Sequence, residues 1–262
     1  MELLAPAGSR QALTAAVQSG ADAVYLGGPQ FGARYSAENF TIEEMKTWVD
    51  YCHLYGVDVH VTVNTLVKEK EIESFKEYLK QLNKIGVDAL IVQDMGAVEI
   101  IKKTVPDMTL HASTQMTVTS LEGVKYLEDM GFSRVVLARE LSEKEIEHIC
   151  KNAKAEIEVF VHGAICMCYS GQCLMSSILG GRSGNRGRCA QPCRLPYDLL
   201  ENGKTVKSEY VLSPKDMALV NDLGTLKCIG VTSLKIEGRL KRAEYVSAVV
   251  GVYRKYLDKG GN

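Results

Sequence analysis

The chain has 262 residues, of which 46% are hydrophobic and 24% charged, and its formal net charge is -1 at pH 7. These values are typical of one large globular domain or two small ones, and they exclude a global field that would draw the chain to nucleic acid or anionic lipid. No apolar stretch approaches the roughly 18 residues of a membrane span, and the N-terminal MELLAPAGSR lacks the basic region of a secretory signal. We therefore expect a cytoplasmic protein with reduced thiols, in which a content of eight cysteines favours metal binding or catalysis over disulfides.

A short sequence motif recurs along the chain. In each copy, a glycine and one or more small or polar residues precede an apolar run that ends in polar residues. It occurs as SGADAVYLGG, YGVDVHVTVN, IGVDALIVQD, MGFSRVVLAR and IGVTSLKIEG. Such a glycine ends a helix as a left-handed cap, and the β-branched run after it predicts a buried parallel strand. Eight strands are predicted, over residues 2–5, 23–27, 58–64, 89–93, 109–113, 134–139, 156–162 and 233–237.

Amphipathic segments separate these strands, with apolar residues spaced by three and four as in Phe75, Leu79 and Leu82. Helices are predicted over residues 9–19, 41–55, 68–85, 95–105, 120–130 and 142–154. The alternation predicts an α/β fold, a single (β/α)8 TIM-type barrel over residues 1–262. A doubly wound open sheet is the alternative, but LGGPQFGAR lacks the spacing of its glycine-rich phosphate motif.

Function in such a barrel lies where the strands end, at their carboxyl mouth. Five polar residues near these ends are predicted to line one pocket able to hold a polar anion: Asn64, His111, Gln115, Arg139 and Glu237. We expect His111, Arg139 and Glu237 to orient a substrate or move protons, and Asn64 and Gln115 to bind it. Strand ends are also polar simply because they meet water, which is the alternative for any single residue.

The segment between the seventh and eighth strands, residues 163–228, is predicted to be an insertion rich in cysteine and arginine. Its first part, residues 163–197, contains neither Asp nor Glu. That part holds five cysteines and four arginines: Cys166, Cys168, Cys173, Cys189, Cys193, Arg182, Arg186, Arg188 and Arg194. Guanidinium groups suit phosphate and carboxylate, so the arginines are predicted to bind substrate, although short basic loops are often only solvated.

Several chemistries are open to these cysteines. Zinc favours C-x2-C pairs, whereas the spacings here are C-x-C, C-x6-C and C-x3-C. An iron–sulfur cluster tolerates irregular spacing because its thiolates arrive from several loops. A cysteine protease would pair a thiolate with a histidine, and His162 precedes Cys166 by four residues, although that spacing does not fix their approach.

The stretch EVFVHGAICMCYSGQCLMS resembles the signature of the collagenase-like peptidase family U32. The matching residues are Glu158, Phe160, Gly163, Ala164, Ile165, Cys166, Gly171, Cys173 and Ser176. The resemblance extends over the chain through ELLAPAGS, GADAVYLGG, HASTQ, LARELS, GGRSGNRGRCAQPCR, LSPKDM and SLKIEGRLK. Longer family members continue into a further domain, so the resemblance predicts that this sequence is a catalytic domain alone or a short member.

The resemblance implies more than one activity. The family was named for collagen degradation, whereas other members hydroxylate a tRNA wobble uridine or a cytidine of large-subunit ribosomal RNA, a reaction linked to prephenate and iron–sulfur biogenesis. Relatives in the ubiquinone pathway hold a four-iron cluster on four cysteines. This implies a 4Fe-4S cluster here, on Cys166, Cys173, Cys189 and Cys228.

Two cysteines are candidates for the fourth ligand of the cluster. Cys228 comes just before the eighth strand, at the barrel end opposite the mouth, and five strand residues are about 16 Å long. Geometry therefore favours Cys193, while the resemblance favours Cys228. Cys168 is expected to be a spare thiol.

Three functions follow. The first is iron–sulfur-dependent RNA hydroxylation of the tRNA wobble uridine type, with RNA as partner and phosphate or prephenate held by the arginines of the insertion. The second is a peptidase with Cys166 or another thiol as nucleophile and His162 or His111 as base. The third is a zinc-stapled scaffold that binds RNA or another partner without chemistry.

Overall fold

Eight parallel strands close into a barrel in the computed structural model, which describes residues 1–34 and 36–260. In chain order the strands are β1 (Glu2–Pro6), β2 (Ala23–Gly27), β3 (Asp58–Val63), β4 (Ala89–Val92), β5 (Leu110–Ala112), β6 (Arg134–Val136), β7 (Glu156–Gly163), β8 (Tyr197–Glu201), β9 (Lys204–Glu209), β10 (Met217–Ala218) and β11 (Ser233–Ile236). The barrel consists of β1 to β7 and β11, and it closes because β11 pairs with both β7 and β1. The predicted TIM-type barrel is confirmed, and the open sheet is excluded.

Helices follow most of the barrel strands, as the periodicity predicts. They are α1 (Arg10–Gln18), α2 (Ile42–Leu54), α3 (Ile72–Ile85), α4 (Met95–Thr104), α5 (Leu121–Asp129), α6 (Glu143–Asn152), α7 (Met175–Gly180), α8 (Leu223–Ile229) and α9 (Ala243–Asp258). The hydroxyls of Ser9, Thr41 and Ser120 accept hydrogen bonds from the first turns of their helices, which explains where α1, α2 and α5 begin. Among the described residues, no helix is long and apolar enough to cross a bilayer.

The main hydrophobic core lies between the barrel wall and the surrounding helices. Alternate strand residues such as Val59 and Val61 of β3 pack there with buried helix residues such as Phe75 and Leu79 of α3. A separate small apolar cluster consists of Leu4, Ala23, Tyr25 and Ile91. The apolar core of the fold is therefore mostly outside the barrel.

Paired ions and histidines occupy much of the barrel interior. Lys235 Nζ lies 2.7 Å from Glu158 Oε1, and both side chains are almost fully buried. Arg134 also contacts Glu158, at 3.3 Å, and donates to both carboxylate oxygens of Glu2. Although burial favours the neutral acid, Lys235 and Arg134 lower the pKa of Glu158. The interior charges are therefore mutually compensated, which a buried ion requires.

The segment between β7 and β11 has its own structure. It contains α7, an antiparallel hairpin of β8 and β9, the short β10 and finally α8. The hairpin was not predicted, although Asn202 and Gly203 at its turn, with φ of +49° and +76°, are a recognised hairpin signal. Strand β10 pairs antiparallel with β7 at His162 and Gly163, and this pairing fastens the insertion to the carboxyl end of the barrel.

Candidate functional site at the barrel mouth

A cavity of about 100 Å³ lies at the carboxyl ends of the barrel strands. Four of the five residues predicted to meet there line it: Asn64, Gln115, Arg139 and Glu237. His111 is not among its lining residues. It is in register with Arg134, the first residue of β6, and its ring lies 4.7 Å from that of His60 inside the barrel. The mouth and the histidine pair are therefore separate features.

Glu237 is the carboxylate of this cavity, and its side chain is 16% exposed. One oxygen lies 3.3 Å from Arg34 Nη2 and the other lies 3.9 Å from Arg139 Nη2. Although burial favours the neutral acid, the surrounding arginines, led by Arg34, lower the pKa of Glu237. Glu237 is thus an ionised group that accepts hydrogen bonds.

Arg34 is a site residue that the sequence did not reveal. It lies in the loop between β2 and α2, which has no periodic pattern. The loop is held in place because the Ala33 amide donates to Asn64 Oδ1 at 3.0 Å. Asn64, predicted as a direct substrate ligand, therefore positions the loop that carries Arg34.

Arg239 follows β11 and is almost entirely buried, with 4% exposure. Its Nη1 donates to Thr62 Oγ1 at 2.9 Å. Burial and the nearby charge of Arg34 lower the pKa of Arg239 to about 10. A side chain at Gly27 would place Cβ 2.5 Å from Arg239 Nη1, so the glycine that ends β2 makes room for this guanidinium.

Arg139 stacks on an aromatic ring. Its Cζ lies 3.8 Å from the centroid of Phe160, which fixes the plane of the guanidinium. Its Nε is buried and has no hydrogen-bond partner among the described residues. Gln115 Oε1 is also buried and also has no hydrogen-bond partner among the described residues. Both predicted residues line the cavity, and each has one buried polar atom without a partner among the described residues.

The cysteines of the insertion gather beside the mouth, and Cys166 lines the cavity itself. Burial raises the pKa of the Cys193 thiol and the adjacent Arg194 lowers it. Three nearby thiols raise this pKa as well, those of Cys166, Cys189 and Cys173. A Cβ at Gly184 would lie 3.8 Å from Cys189 Cβ and 3.9 Å from the Cys173 carbonyl oxygen, so these two cysteines flank one glycine.

Cys228 is placed elsewhere. It lies near the end of α8, before β11, and is exposed. Because the cavity lies at the opposite, carboxyl end of β11, Cys228 is separated from it by the length of this strand, about 13 Å.

The sulfur atoms are not arranged as a preformed zinc site. Two thiolates on one tetrahedral zinc lie about 3.8 Å apart, given a Zn–S bond of about 2.3 Å. In the described part of the chain, no three cysteine sulfurs lie within 4.8 Å of one another.

The insertion arginines make contacts within the protein. Arg186 binds both oxygens of Glu71, at 2.9 and 2.6 Å. Arg194 donates to Ser213, Pro214 and Ile165. Arg182 donates to the Arg188 carbonyl at 3.2 Å. Arg186 and Arg188 also line a second, larger cavity of about 560 Å³ with Lys68 and Lys70. Substrate binding by these four arginines stays a prediction.

Fold and site together define a TIM-type barrel with a thiol-rich insertion fastened over its mouth. The chain belongs to peptidase family U32, whose family model matches residues 8–262.

Two relatives are named for RNA modification. The chain is 45% identical over 260 residues to the 23S rRNA 5-hydroxycytidine C2501 synthase of Escherichia coli, covering 98% of this chain and 39% of that protein. It is 40% identical to the tRNA hydroxylation protein P1 of Bacillus subtilis, covering 98% and 63% respectively. A third relative, 33% identical, is a collagenase of Porphyromonas gingivalis, of which the chain covers 65%. The chain thus spans between about two fifths and two thirds of these proteins.

Solved structures support the fold. A U32 peptidase superimposes with a TM-score of 0.60 at 16% identity, covering 91% of this chain and 93% of that one. Phosphoribosyl anthranilate isomerase from Thermotoga maritima gives 0.54 at 9% identity, with 99% of each chain covered. At these identities the likeness concerns the barrel alone.

Proposed function

We propose that this chain is the catalytic barrel of an iron–sulfur-dependent enzyme that hydroxylates a pyrimidine base of RNA. The observation that carries the proposal is the gathering of five thiols beside the cavity, those of Cys166, Cys168, Cys173, Cys189 and Cys193. Relatives named for rRNA and tRNA hydroxylation support RNA as the substrate class.

Four of these five thiols, those of Cys166, Cys173, Cys189 and Cys193, would hold a 4Fe-4S cluster, with Cys168 as the spare thiol. They come from separate turns of the insertion, as cluster ligands commonly do. They are also spread too widely for a single zinc ion, as the zinc-stapled scaffold would require. Cys193 is the fourth ligand in this proposal because it is among the gathered thiols, whereas Cys228 lies beyond the far end of β11. When bound, such a cluster would transfer electrons or activate the oxygen donor for conversion of a base C–H to C–OH.

The side chains of the mouth would orient the reactants. Glu237, ionised, would accept a hydrogen bond or a proton, and Arg139, with its plane fixed by Phe160, would donate to an anionic group. His111 has its pKa lowered far below the usual range by burial and by His60. It would therefore act as a neutral imidazole inside the barrel and would not contact substrate at the mouth.

The peptidase alternative has less geometric support. It requires a histidine beside Cys166, which lines the mouth cavity. His162 instead packs against Tyr245 and Tyr253 of α9, with ring centroids 6.0 and 5.5 Å away. His111 lies in the barrel interior. Neither histidine belongs to the cavity lining.

Anaerobic purification with iron, sulfide and zinc analysis tests the cluster. We expect iron and sulfide in the native chain, and their loss in the Ser variants of Cys166, Cys173, Cys189 and Cys193. Cys168→Ser and Cys228→Ser are the matched controls and should retain the cluster. If Cys228→Ser loses iron and sulfide while Cys193→Ser retains them, the fourth cluster ligand is Cys228 and not Cys193. An iron-free native chain with stoichiometric zinc would refute the cluster.

RNA hydroxylation is tested separately by mass spectrometry of nucleosides from cells lacking the gene. We expect one pyrimidine nucleoside to lose an oxygen atom and to regain it on complementation with the native gene, but not with a Cys166→Ser copy. Unchanged nucleosides, together with gelatin hydrolysis that disappears in Cys166→Ala, would favour the peptidase.

A further inference from the structure

Three side chains of the kinds that bind metal ions meet at the amino end of the barrel, opposite the mouth. They are Glu2, the first residue of β1, Asp58, the first residue of β3, and His60, two positions further along β3. One carboxylate oxygen or ring nitrogen of each lies within 4.8 Å of those of the other two. Asp58 and His60 converge because alternate residues of a strand share one face. Since Asn64, after the other end of β3, lines the mouth cavity, this cluster is a separate feature of the fold.

His60 distinguishes the cluster from an ordinary acidic surface. The residue is 2% exposed, and its Nδ1 is buried without a hydrogen-bond partner among the described residues. Buried polar atoms are normally paired, so this imidazole points to a ligand. Asp58 is exposed and the Glu2 side chain is 18% exposed, so an ion from solvent can reach the cluster.

The carboxylates at this end of the barrel outnumber the cations. Four carboxylates are present, those of Glu2, Asp58, Glu156 and Glu158. Arg134 contacts three of them, at distances from 2.5 to 3.3 Å, and Lys235 contacts Glu158 at 2.7 Å. Burial raises the pKa of Asp58, and two neighbouring carboxylates raise it further. Four negative charges against two positive ones leave a deficit that one divalent cation would balance.

We propose that Glu2, Asp58 and His60 bind one divalent transition-metal ion, which ties β1 to β3 at the amino end of the barrel. Two carboxylates and one imidazole suit manganese, iron or zinc better than magnesium or calcium, which prefer oxygen ligands alone. Glu2 Oε2 accepts a hydrogen bond from Arg134 Nη2, and a carboxylate oxygen has a second lone pair for the ion.

The spacing of the ligand atoms is compatible with one ion. With metal–ligand bonds of about 2.1 Å, two ligand atoms lie about 3 to 4.2 Å apart, so small rotations of the two carboxylates would close the set. Active sites of such barrels lie at the carboxyl mouth, so an ion at the opposite end is structural. The inference therefore goes beyond the proposed RNA hydroxylation and does not depend on the cysteine cluster.

Titration of the purified chain with Mn²⁺, followed by electron paramagnetic resonance, tests the site. The sharp signal of hydrated Mn²⁺ weakens on binding, and thiolates are poor manganese ligands, so the cysteines of the insertion do not interfere. We expect saturable binding of one Mn²⁺ per chain, of which an equal concentration of Mg²⁺ displaces less than about a tenth. Absence of saturable binding would overturn the proposal. Equal affinity for Mg²⁺ would overturn it as well, because an acidic surface without an imidazole ligand would then hold the ion.

Histidine variants locate the ion. His60→Gln should weaken Mn²⁺ binding at least about tenfold, as expected for the loss of one ligand. His148→Gln, at an exposed histidine of α6, is the matched control and should bind as the native chain does. Native affinity in His60→Gln, or an equal loss in both variants, would refute the assignment.

Asp58→Asn keeps the test decisive if His60→Gln fails to fold. The substitution removes a charge from a cluster with too many carboxylates, so the variant should be at least as stable as the native chain in EDTA. Mn²⁺ should raise the thermal unfolding midpoint of the native chain and of the control Asp129→Asn, at the exposed end of α5, but not that of Asp58→Asn. An equal rise in Asp58→Asn, or no rise in the native chain, would refute the site.

Discussion

Arg186 of the insertion and Glu71, just before α3, form a two-pronged ion pair in which each carboxylate oxygen accepts one guanidinium N–H, at 2.9 and 2.6 Å. Arg186 also donates to the Leu66 carbonyl. The side chains are 29% and 23% exposed. This pair fastens the arginine-rich loop to the barrel loop after β3, so Arg186 has a structural role whatever it does with substrate.

A double-mutant cycle on Arg186→Ala and Glu71→Ala measures that role. We expect a coupling free energy of about 1 kcal/mol in urea unfolding, at the upper end for ion pairs that are not buried, because the geometry is bidentate. The exposed pair Lys46 and Asp50 on α2 is the matched control and should couple by less than about 0.5 kcal/mol. Equal coupling in the two cycles would contradict the structural role.

The paired histidines predict acid sensitivity. Burial lowers the pKa of His60 to about 4 and that of His111 well below its usual range. Between pH 7 and 5 the unfolded chain therefore takes up protons that the folded chain does not. The stabilisation that comes from these two neutral histidines is fully present above about pH 6.5 and is lost as the pH falls toward 4. Each histidine lowers the free energy of unfolding by up to about 1.4 kcal/mol per pH unit over this range.

Urea unfolding at pH 7, 6 and 5 checks this expectation. His111→Gln should reduce the slope by about half of the histidine contribution, whatever it does to absolute stability. Tyr126→Phe, on the exposed face of α5, is the control and should keep the native slope. An identical slope in native chain and His111→Gln would mean that this imidazole takes up its proton in the folded state.

We predict that the stability of the fold depends strongly on Lys235 in the barrel interior. Lys235→Met leaves Glu158 buried without its nearest cation, and breaking a buried pair in this way costs about 3 to 5 kcal/mol. Lys207→Met removes a surface partner of Glu209 and should cost less than about 1 kcal/mol. The free energy of unfolding is the measurement. A cost below that of Lys207→Met would show that Arg134 alone compensates Glu158.

Gly171 holds the loop between Cys166 and Cys173 against the barrel. Its φ is +80°, and an added Cβ would lie 2.2 Å from the Gln115 carbonyl oxygen. Gly171→Ala should therefore lower stability by about 1 to 3 kcal/mol through strain and displacement of the loop. Gly180→Ala in α7, where an added Cβ meets nothing within 4 Å, should be neutral or slightly stabilising. Thermal unfolding compares the two variants. Equal unfolding midpoints would contradict the close contact between Gly171 and the Gln115 carbonyl.

The sequence predicts the barrel well because each unit repeats one local pattern. Glycine caps and β-branched runs locate the strands, and the spacing of residues such as Phe75 and Leu79 locates the helices. Only α3 begins noticeably later than predicted, at Ile72, because a short 3-10 turn over Glu69–Glu71 precedes it.

The site is only partly predictable, for a physical reason. Asn64, Gln115, Arg139 and Glu237 follow strand ends, and closure of the barrel brings them together. Arg34 is in a loop without periodicity, and its contact with Glu237 spans 203 positions. Sequence spacing likewise does not decide whether Cys193 or Cys228 is the fourth cluster ligand. That position depends on how the insertion folds back over β7.

Barrel closure between β1 and β11 also dictates the order of folding. Glu2 is in register with Ser233, whose hydroxyl donates to Glu2 Oε1 at 2.8 Å. The same last strand supplies Lys235, the nearest counterion of Glu158. A nascent chain can therefore neither close the barrel nor neutralise its interior until β11 has left the ribosome. Contacts of such long sequence separation make folding slow, and a chain that stalls before Ser233 is expected to be a substrate for chaperones or proteases.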